Sequence, residues 1–379
     1  MIYKGLFFLL LGLSSYTVLL LLLRLISTTK KESSLVPEKS CDWHSKESLE
    51  IVDIILECHD VKTFRLKRSN GKPFSVFSPG QFLSFQIKND TKLLRSYSIS
   101  GSCENRSTLQ VTVKKIKDGI GSGWFHSLNA GDRVWAYPPQ GLFTDDHLEA
   151  GSPRVYIGAG IGITPLISMI KTAIDRSSKV PMTLFYGVRS TNDLAFHGEL
   201  ELLNGKYDNF SYFPLLSGND DTWSGDRGRV SYDYIKSKIS IDSHYNFYFC
   251  GPPALTESIS ELILSDGHDE KLIHSEKFAS PVSFDLANIP ERSATVLVKN
   301  QNLSYQGKAS ILEFLEENDL EISFACRSGV CGACKCKLIN GEVDAFTDSG
   351  LTEAEKRKGY ILSCVSRPTS DIKIEIDDE

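Results

Sequence analysis

Cysteines 326, 331 and 334 stand in the run Cys326-Arg327-Ser328-Gly329-Val330-Cys331-Gly332-Ala333-Cys334, and a fourth, Cys364, follows thirty residues later. The C-x4-C-x2-C spacing with one distant partner is the plant-type pattern for a [2Fe-2S] cluster. Four thiolates must converge on two irons, so the chain has to wrap closely around them. Gly329, Gly332 and Ala333 supply the small side chains this needs, and their N–H groups can hydrogen-bond cluster sulfurs. Structural zinc is the alternative for any four cysteines, but zinc sites usually pair two C-x2-C knuckles, and a second knuckle is missing here. Cys336, a fifth thiol nearby, reads as a small buried hydrophobe on the strand after the loop.

A second set of candidates is rich in glycine. Residues 154–165, Arg-Val-Tyr-Ile-Gly-Ala-Gly-Ile-Gly-Ile-Thr-Pro, read as an apolar strand entering a glycine turn. Thr164 is expected as the helix N-cap and Pro165 at the first helical position, with Leu166, Ile167, Ile170 and Ile174 as the apolar stripe. Such a βα unit offers N–H groups and a helix N-terminus to a phosphate, although it lacks the strict G-x-G-x-x-G spacing. Strands are expected at Met182–Val188 and Asn246–Cys250, the second ending in Cys250-Gly251-Pro252-Pro253. Both end in glycine-bearing turns, as required where a nucleotide lies across the carboxyl edge of a parallel sheet. Arg189 stands where an acid would bind a ribose 2′-hydroxyl, which leaves NADH and NADPH both open. Upstream, Arg95-Ser96-Tyr97-Ser98 and the turn Lys117–Trp124 form a third set. Arg95 can clamp a pyrophosphate, Tyr97 can stack on a flat ring, and the glycine turn can offer N–H groups to phosphate. A surface arginine and a core tyrosine on a strand are the everyday alternative.

The elements that must position these residues divide the 379-residue chain into several parts, more than one core can hold. Residues 5–23 carry no charge and are long enough to cross a bilayer as one helix. Lys4 on one flank against Arg24, Lys30 and Lys31 on the other predicts a single-pass membrane anchor with the following body in the cytoplasm. A cleaved signal peptide is the competing reading, but no Ala-x-Ala site follows the run. Residues 24–48 read as a tether. Short β segments at 61–66, 82–87, 109–116 and 133–137 between Gly, Pro, Asn and Asp turns predict a small antiparallel barrel over 49–148. Residues 152–278 read as an α/β, Rossmann-like nucleotide domain, 279–292 as a linker, and 293–379 as an α+β, β-grasp cluster domain. That last domain is expected to hold strands at 295–298 and 371–376 and an amphipathic helix over 311–320. Net charge is −6 overall, and residues 290–379 alone carry −5. This argues against a nucleic-acid partner, which would want a basic stripe, and allows a partner with a basic face to dock on Glu313, Glu316, Glu317 and Asp319. The wet face of a helix explains those acids equally well. Four iron-bound cysteines and five scattered ones fit a reducing compartment.

Taken together, these residues resemble the ferredoxin-reductase-like flavoproteins that carry a C-terminal plant-type ferredoxin, over about residues 50–379. The resemblance implies an FAD site with Arg95 on phosphate, Tyr97 against the isoalloxazine and Ser98 near its N5, with Gly121 and Ser122 in the second phosphate-binding turn. It implies a nicotinamide-nucleotide site at Gly158, Gly160, Gly162, Thr164, Arg189, Cys250, Gly251 and Pro252, with Thr164 and Cys250 near the reacting ring. Ser98, Thr164 and Cys250 are then the catalytic set, and Cys326, Cys331, Cys334 and Cys364 the cluster ligands. Tyr186–Arg189 with Asp193, Trp223 with Gly225, Gly228-Arg229-Val230 and Glu276-Lys277-Phe278 also fit. The implied activity is electron transfer from NADH or NADPH through FAD and [2Fe-2S] to a redox protein. The runs Leu94–Ser100 and Val111–Ser122 look most like reductases of hybrid-cluster protein. Reductases of oxygenases and of fatty-acid desaturases share the domain order, and the membrane helix is not typical of the hybrid-cluster group. A non-catalytic redox sensor is the rival of another class.

Overall fold

Runs rich in β-branched and aromatic residues, separated by Gly, Asn and Asp turns, pair antiparallel into the first sheet of the computed structural model. The structure describes residues 43, 45–89, 93–146, 151–241, 244–276, 278, 290–320, 322, 324, 327, 329, 332, 334–348, 350–351 and 353–376. The sheet comprises β1 (Glu47–Cys58), β2 (Val61–Arg68), β3 (Phe82–Gln86), β4 (Leu94–Ser98), β5 (Leu109–Lys114) and β6 (Arg133–Ala136), in the order β4-β3-β6-β1-β2-β5. A bridge between Ile99 and Val111 joins the two outer strands, so the sheet curls into a barrel. Helix α1 (Ile120–Ser127) drives Phe125 inside, where its ring meets Phe64 at 5.1 Å and Phe85 at 5.0 Å, both edge to face. The folded body begins upstream of the expected boundary at 49. Trp43 is buried, packed on Phe74 at 5.7 Å and under the Arg68 guanidinium, which binds Glu47 at 2.6 Å. The expected anchor at 5–23 lies outside the described residues, as does most of the tether. Among the described residues no helix is long and apolar enough to cross a membrane.

The second sheet is parallel throughout: β7 (Arg154–Ala159), β8 (Met182–Val188), β9 (Phe210–Leu216), β10 (Asn246–Cys250) and β11 (Ile273–Glu276), in the order β11-β10-β7-β8-β9. Its central strands are buried at nearly every position because helices cover both faces. Tyr156, Leu184 and Tyr248 point into one core and Val155, Phe185 and Phe247 into the other. The helices are α2 (Ile163–Asp175), α3 (His197–Lys206), α4 (Tyr232–Lys238) and α5 (Pro253–Ser265). Helix α2 fastens this sheet to the barrel: Ser168 Oγ donates to Gly101 O at 2.7 Å, and Thr172 Oγ1 accepts from Cys103 N at 3.0 Å. Behind it, buried Asp145 accepts from Arg154 at 2.7 Å and from the Tyr156 hydroxyl at 2.9 Å.

The third sheet takes β12 (Arg292–Val298), β13 (Gln301–Gly307), β14 (Lys335–Asn340), β16 (Tyr360–Leu362) and β18 (Ile372–Glu375), in the order β13-β12-β18-β14-β16, beside a small pair formed by β15 (Val343–Ala345) and β17 (Ser366–Pro368). Helix α6 (Ile311–Glu317) opens on a capping box, Ser310 accepting from Glu313 N at 3.2 Å while Glu313 accepts from Ser310 N at 2.7 Å. A short helix, α7 (Glu353–Arg357), precedes β16.

Candidate functional site

In the β3–β4 register Leu83 faces Tyr97 and Phe85 faces Arg95. The first turn of α1 lies against both. A Cβ added at Gly121 would stand 2.6 Å from Arg95 Cγ and 2.9 Å from Tyr97 Oη, so this approach requires glycine. Ser122 is buried and its Oγ accepts from Ile116 N at 3.0 Å, which shapes the turn and takes the hydroxyl out of solvent. Tyr97 meets Phe125 at 4.9 Å edge to face, and burial pushes its phenol pKa well up, so the ring stays neutral. Ser98 is buried one residue on, opposite Phe82. The structure thus gathers a guanidinium, an aromatic ring and a glycine turn, a set that fits a phosphate joined to a flat ring.

At the carboxyl edge of the parallel sheet the strand order reverses between β7 and β10, and Cys250 pairs with Gly158 on one side and Glu276 on the other. The two turns press together. A Cβ on Gly162 would come within 2.0 Å of Cys250 O, and one on Gly251 within 3.0 Å of Ala159 Cβ. Gly160 has φ +55° with open space beside it, and its carbonyl accepts from the Tyr186 hydroxyl at 3.0 Å. A cavity of about 750 Å³ opens there, lined among others by Gly160, Arg189 and Pro252 and by Lys114, Asp193 and Arg229. Sequence reasoning gave Lys114 no role. It comes from β5 of the barrel, its Nζ is 2.9 Å from Asp60 and 3.6 Å from Asp193, and a basic residue ending a β strand carries no motif.

Helix α2 starts at Ile163 with Gly162 as its cap, so Thr164 is inside the helix and is not its N-cap. Its buried hydroxyl donates to Ile161 O at 3.0 Å and holds the turn, because the turn tightens through a 3-10 step before the helix. Cys250 is fully buried, and burial with Glu276 beside it pushes the thiol well up. Burial drives the Glu276 carboxyl up to about 8, and its Oε2 has no hydrogen-bond partner among the described residues. Burial thus favours the neutral form of both groups.

At the far end, β14 and β16 pair with Lys335 opposite Leu362, which sets Cys334 and Cys364 at the same end of the sheet. Both are buried, and Ser363 clamps the two segments by giving its N–H and its hydroxyl to Cys334 O at 3.0 and 2.9 Å. Cys326 and Cys331 lie outside the described residues. The two glycines of the run, one on each side of Cys331, are left-handed: Gly329 at φ +76° and Gly332 at φ +72°. A Cβ on Gly329 would meet Thr347 Cγ2 at 2.6 Å, and one on Gly332 would meet Gly350 O at 2.7 Å. Two buried thiols at a strand end beside a close-wrapped loop fit an iron–sulfur cluster as half of its ligand set. Cys336, on β14, is fully buried in the core, the small buried hydrophobe its sequence reading expects. The four acids suggested for docking are not equivalent. Glu313 closes the capping box and Glu316 binds Arg327, which leaves Glu317 and Asp319 outward.

Three family models match the chain: an oxidoreductase FAD-binding domain over residues 48–144, an oxidoreductase NAD-binding domain over 156–261 and a 2Fe-2S iron-sulfur cluster binding domain over 295–369. The glycine betaine monooxygenase reductase subunit of Chromohalobacter salexigens is 30% identical over 363 residues, covering 89% of this chain and 98% of that one. The NADH oxidoreductase HCR of Escherichia coli is 27% identical over 346 residues, again 89% and 98% of the two chains. Among solved structures, phthalate dioxygenase reductase aligns over 88% of this chain and 98% of its own, with a TM-score of 0.59 at 24% identity, a likeness of fold.

Proposed function

Because the chain belongs to the family of reductase components that join FAD-binding, NAD-binding and 2Fe-2S domains on one polypeptide, we propose that it feeds electrons from a reduced nicotinamide nucleotide to an oxygenase component. It is an NAD(P)H oxidoreductase with FAD and [2Fe-2S] as its cofactors. The bound groups supply the redox chemistry, FAD taking two electrons as hydride and releasing them singly to the cluster. The chain's residues bind, orient and shield. Arg95 holds flavin phosphate, Tyr97 lies on the ring system with Ser98 beside it, and Gly121 with Ser122 forms the second phosphate turn. Gly158, Gly160 and Gly162 bring backbone close to the nucleotide, Thr164 keeps their turn closed, and Arg189 stands at its adenosine end. Cys250, Gly251 and Pro252 wall the nicotinamide end. Cys326, Cys331, Cys334 and Cys364 hold the cluster.

One observation carries this reading: three sheets of one chain hold, in order, the Arg95–Tyr97–Gly121 cradle, the glycine cleft and a buried pair of cysteines. The monooxygenase reductase relative supports an oxygenase as acceptor, and the HCR relative supports hybrid-cluster protein as the second reading. The uncharged run at 5–23 supports a membrane tether that keeps the reductase beside a membrane-bound acceptor. Anaerobic titration with NADH and NADPH tests the core of the proposal: the flavin absorbance should bleach and the cluster should follow. A flavin that neither nucleotide bleaches makes the chain a binding or sensing protein. Acceptor identity is read by supplying an oxygenase component or hybrid-cluster protein and comparing turnover.

A further inference from the structure

Two aromatic rings meet, one from the segment after β6 and one from the segment between α6 and β14. Tyr137 follows β6, and its N–H donates to Ser84 O at 2.8 Å. Phe324, two residues before Cys326, brings its ring centroid to 6.5 Å from that of Tyr137. The Arg327 guanidinium stacks on Phe324 at 4.2 Å from the centroid. Arg327 in turn binds Glu316 of α6 through both terminal nitrogens, one of them at 3.0 Å from Oε2. Arg327 has φ +54°, a conformation that is strained for a non-glycine residue and persists only where neighbours fix it. Here Phe324 and Glu316 fix it.

The barrel side of this contact is one strand away from the flavin candidates. Ser84, whose carbonyl holds Tyr137, faces Ser96 with their hydroxyls 2.9 Å apart. Phe85 pairs with Ala136, and its ring lies 6.1 Å from Tyr97. Direct contacts therefore run from Tyr97 through β3 to Tyr137, Phe324 and Arg327. Building on the function proposed above, we infer that Tyr137 and Phe324, backed by Arg327 and Glu316, are positioning residues that seat the cluster loop against the flavin barrel for electron transfer. NAD(P)H is oxidised by two electrons and the flavin is reduced; the electrons then cross one at a time to the cluster, and no bond is made or broken at the aromatic pair. Loss of the contact lets the acceptor drift from the donor, and electron transfer slows as the gap between them widens.

The test is anaerobic rapid mixing of the full chain with whichever of NADH and NADPH bleaches the flavin, for wild type, Tyr137→Ala, Phe324→Ala and Phe324→Tyr. In the alanine variants, flavin reduction, ferricyanide reduction and the cluster's electron paramagnetic resonance spectrum should match wild type. The flavin-to-cluster step should slow severalfold, and amide hydrogen exchange should quicken over residues 135–140 and 322–329. Phe324→Tyr should restore the rate. If Phe324→Ala loses its cluster, Tyr137→Ala, which lies on the barrel, decides: a normal transfer rate there overturns the proposal. Normal transfer in both alanine variants overturns it as well. A wild-type flavin that neither NADH nor NADPH bleaches overturns the assigned function, and the role of the contact falls with it.

Discussion

Glu276 ends β11 beside Cys250, and burial pushes its carboxyl up from the ordinary 4.5 to about 8. Below pH 4.5 both states hold the proton, so burial costs nothing through ionisation. As pH rises from 4.5 to 8 the unfolded chain ionises first, and stability falls across that window. Glu276→Gln should therefore raise the melting temperature at pH 8, by roughly 1–3 kcal/mol of stability, and leave it nearly unchanged at pH 4.5. Thermal melts at the two pH values check this, and an equal shift at both would mean that the carboxyl is not buried as a neutral acid. The cysteines around β14 divide by address in the same way. Cys334→Ser should abolish the cluster's visible absorbance and keep NAD(P)H-driven ferricyanide reduction, since a poorer ligand replaces one thiolate of four. Cys336→Ser should keep both and lose about 1–3 kcal/mol in a denaturant melt, because it places a hydroxyl in the core.

At the scale of elements, the nucleotide cleft depends on how closely the turn after β7 approaches the turn after β10. Gly162 permits that approach, for a methyl group there would overlap Cys250 O. Gly162→Ala should push the turns apart at a cost of about 1–3 kcal/mol and weaken nucleotide binding by roughly tenfold. FAD content should stay normal, because the Arg95–Tyr97–Gly121 cradle lies on the barrel. Quenching of flavin fluorescence by added nucleotide, beside the bound FAD fraction, separates the two. Joint loss of FAD and nucleotide would show that the turn supports the barrel too. The element boundaries near this site were only partly legible. Met182–Val188 and Asn246–Cys250 run as their composition predicts, since a strand covered on both faces is apolar throughout. The start of α2 was misplaced, because Thr164 looks like a cap until the tight 3-10 step before it is known.

Across the whole molecule, deleting residues 1–31 should leave FAD content and dye reduction unchanged, since the folded body closes around Trp43. Turnover with a membrane-bound acceptor should fall, because a tether raises the effective concentration of its partner; equal turnover with and without the segment would remove the tether from partner choice. The sequence by itself determined the cysteine loop, the glycine turns and the Arg95–Tyr97–Ser98 run. Their constraints are local: thiolate spacing, left-handed φ at Gly329 and Gly332, and backbone too close for a Cβ at Gly121 and Gly162 leave their mark in residue type and spacing. Only the tertiary structure decided what generic residues do. Lys114 became a wall of the nucleotide cleft, Trp43 joined the barrel core, Glu316 was taken up by Arg327, and Tyr137 met Phe324. A lysine, a tryptophan, a glutamate or a tyrosine carries no address in its spacing, and contacts between residues so distant in the chain exist only once the sheets that carry them have paired and docked.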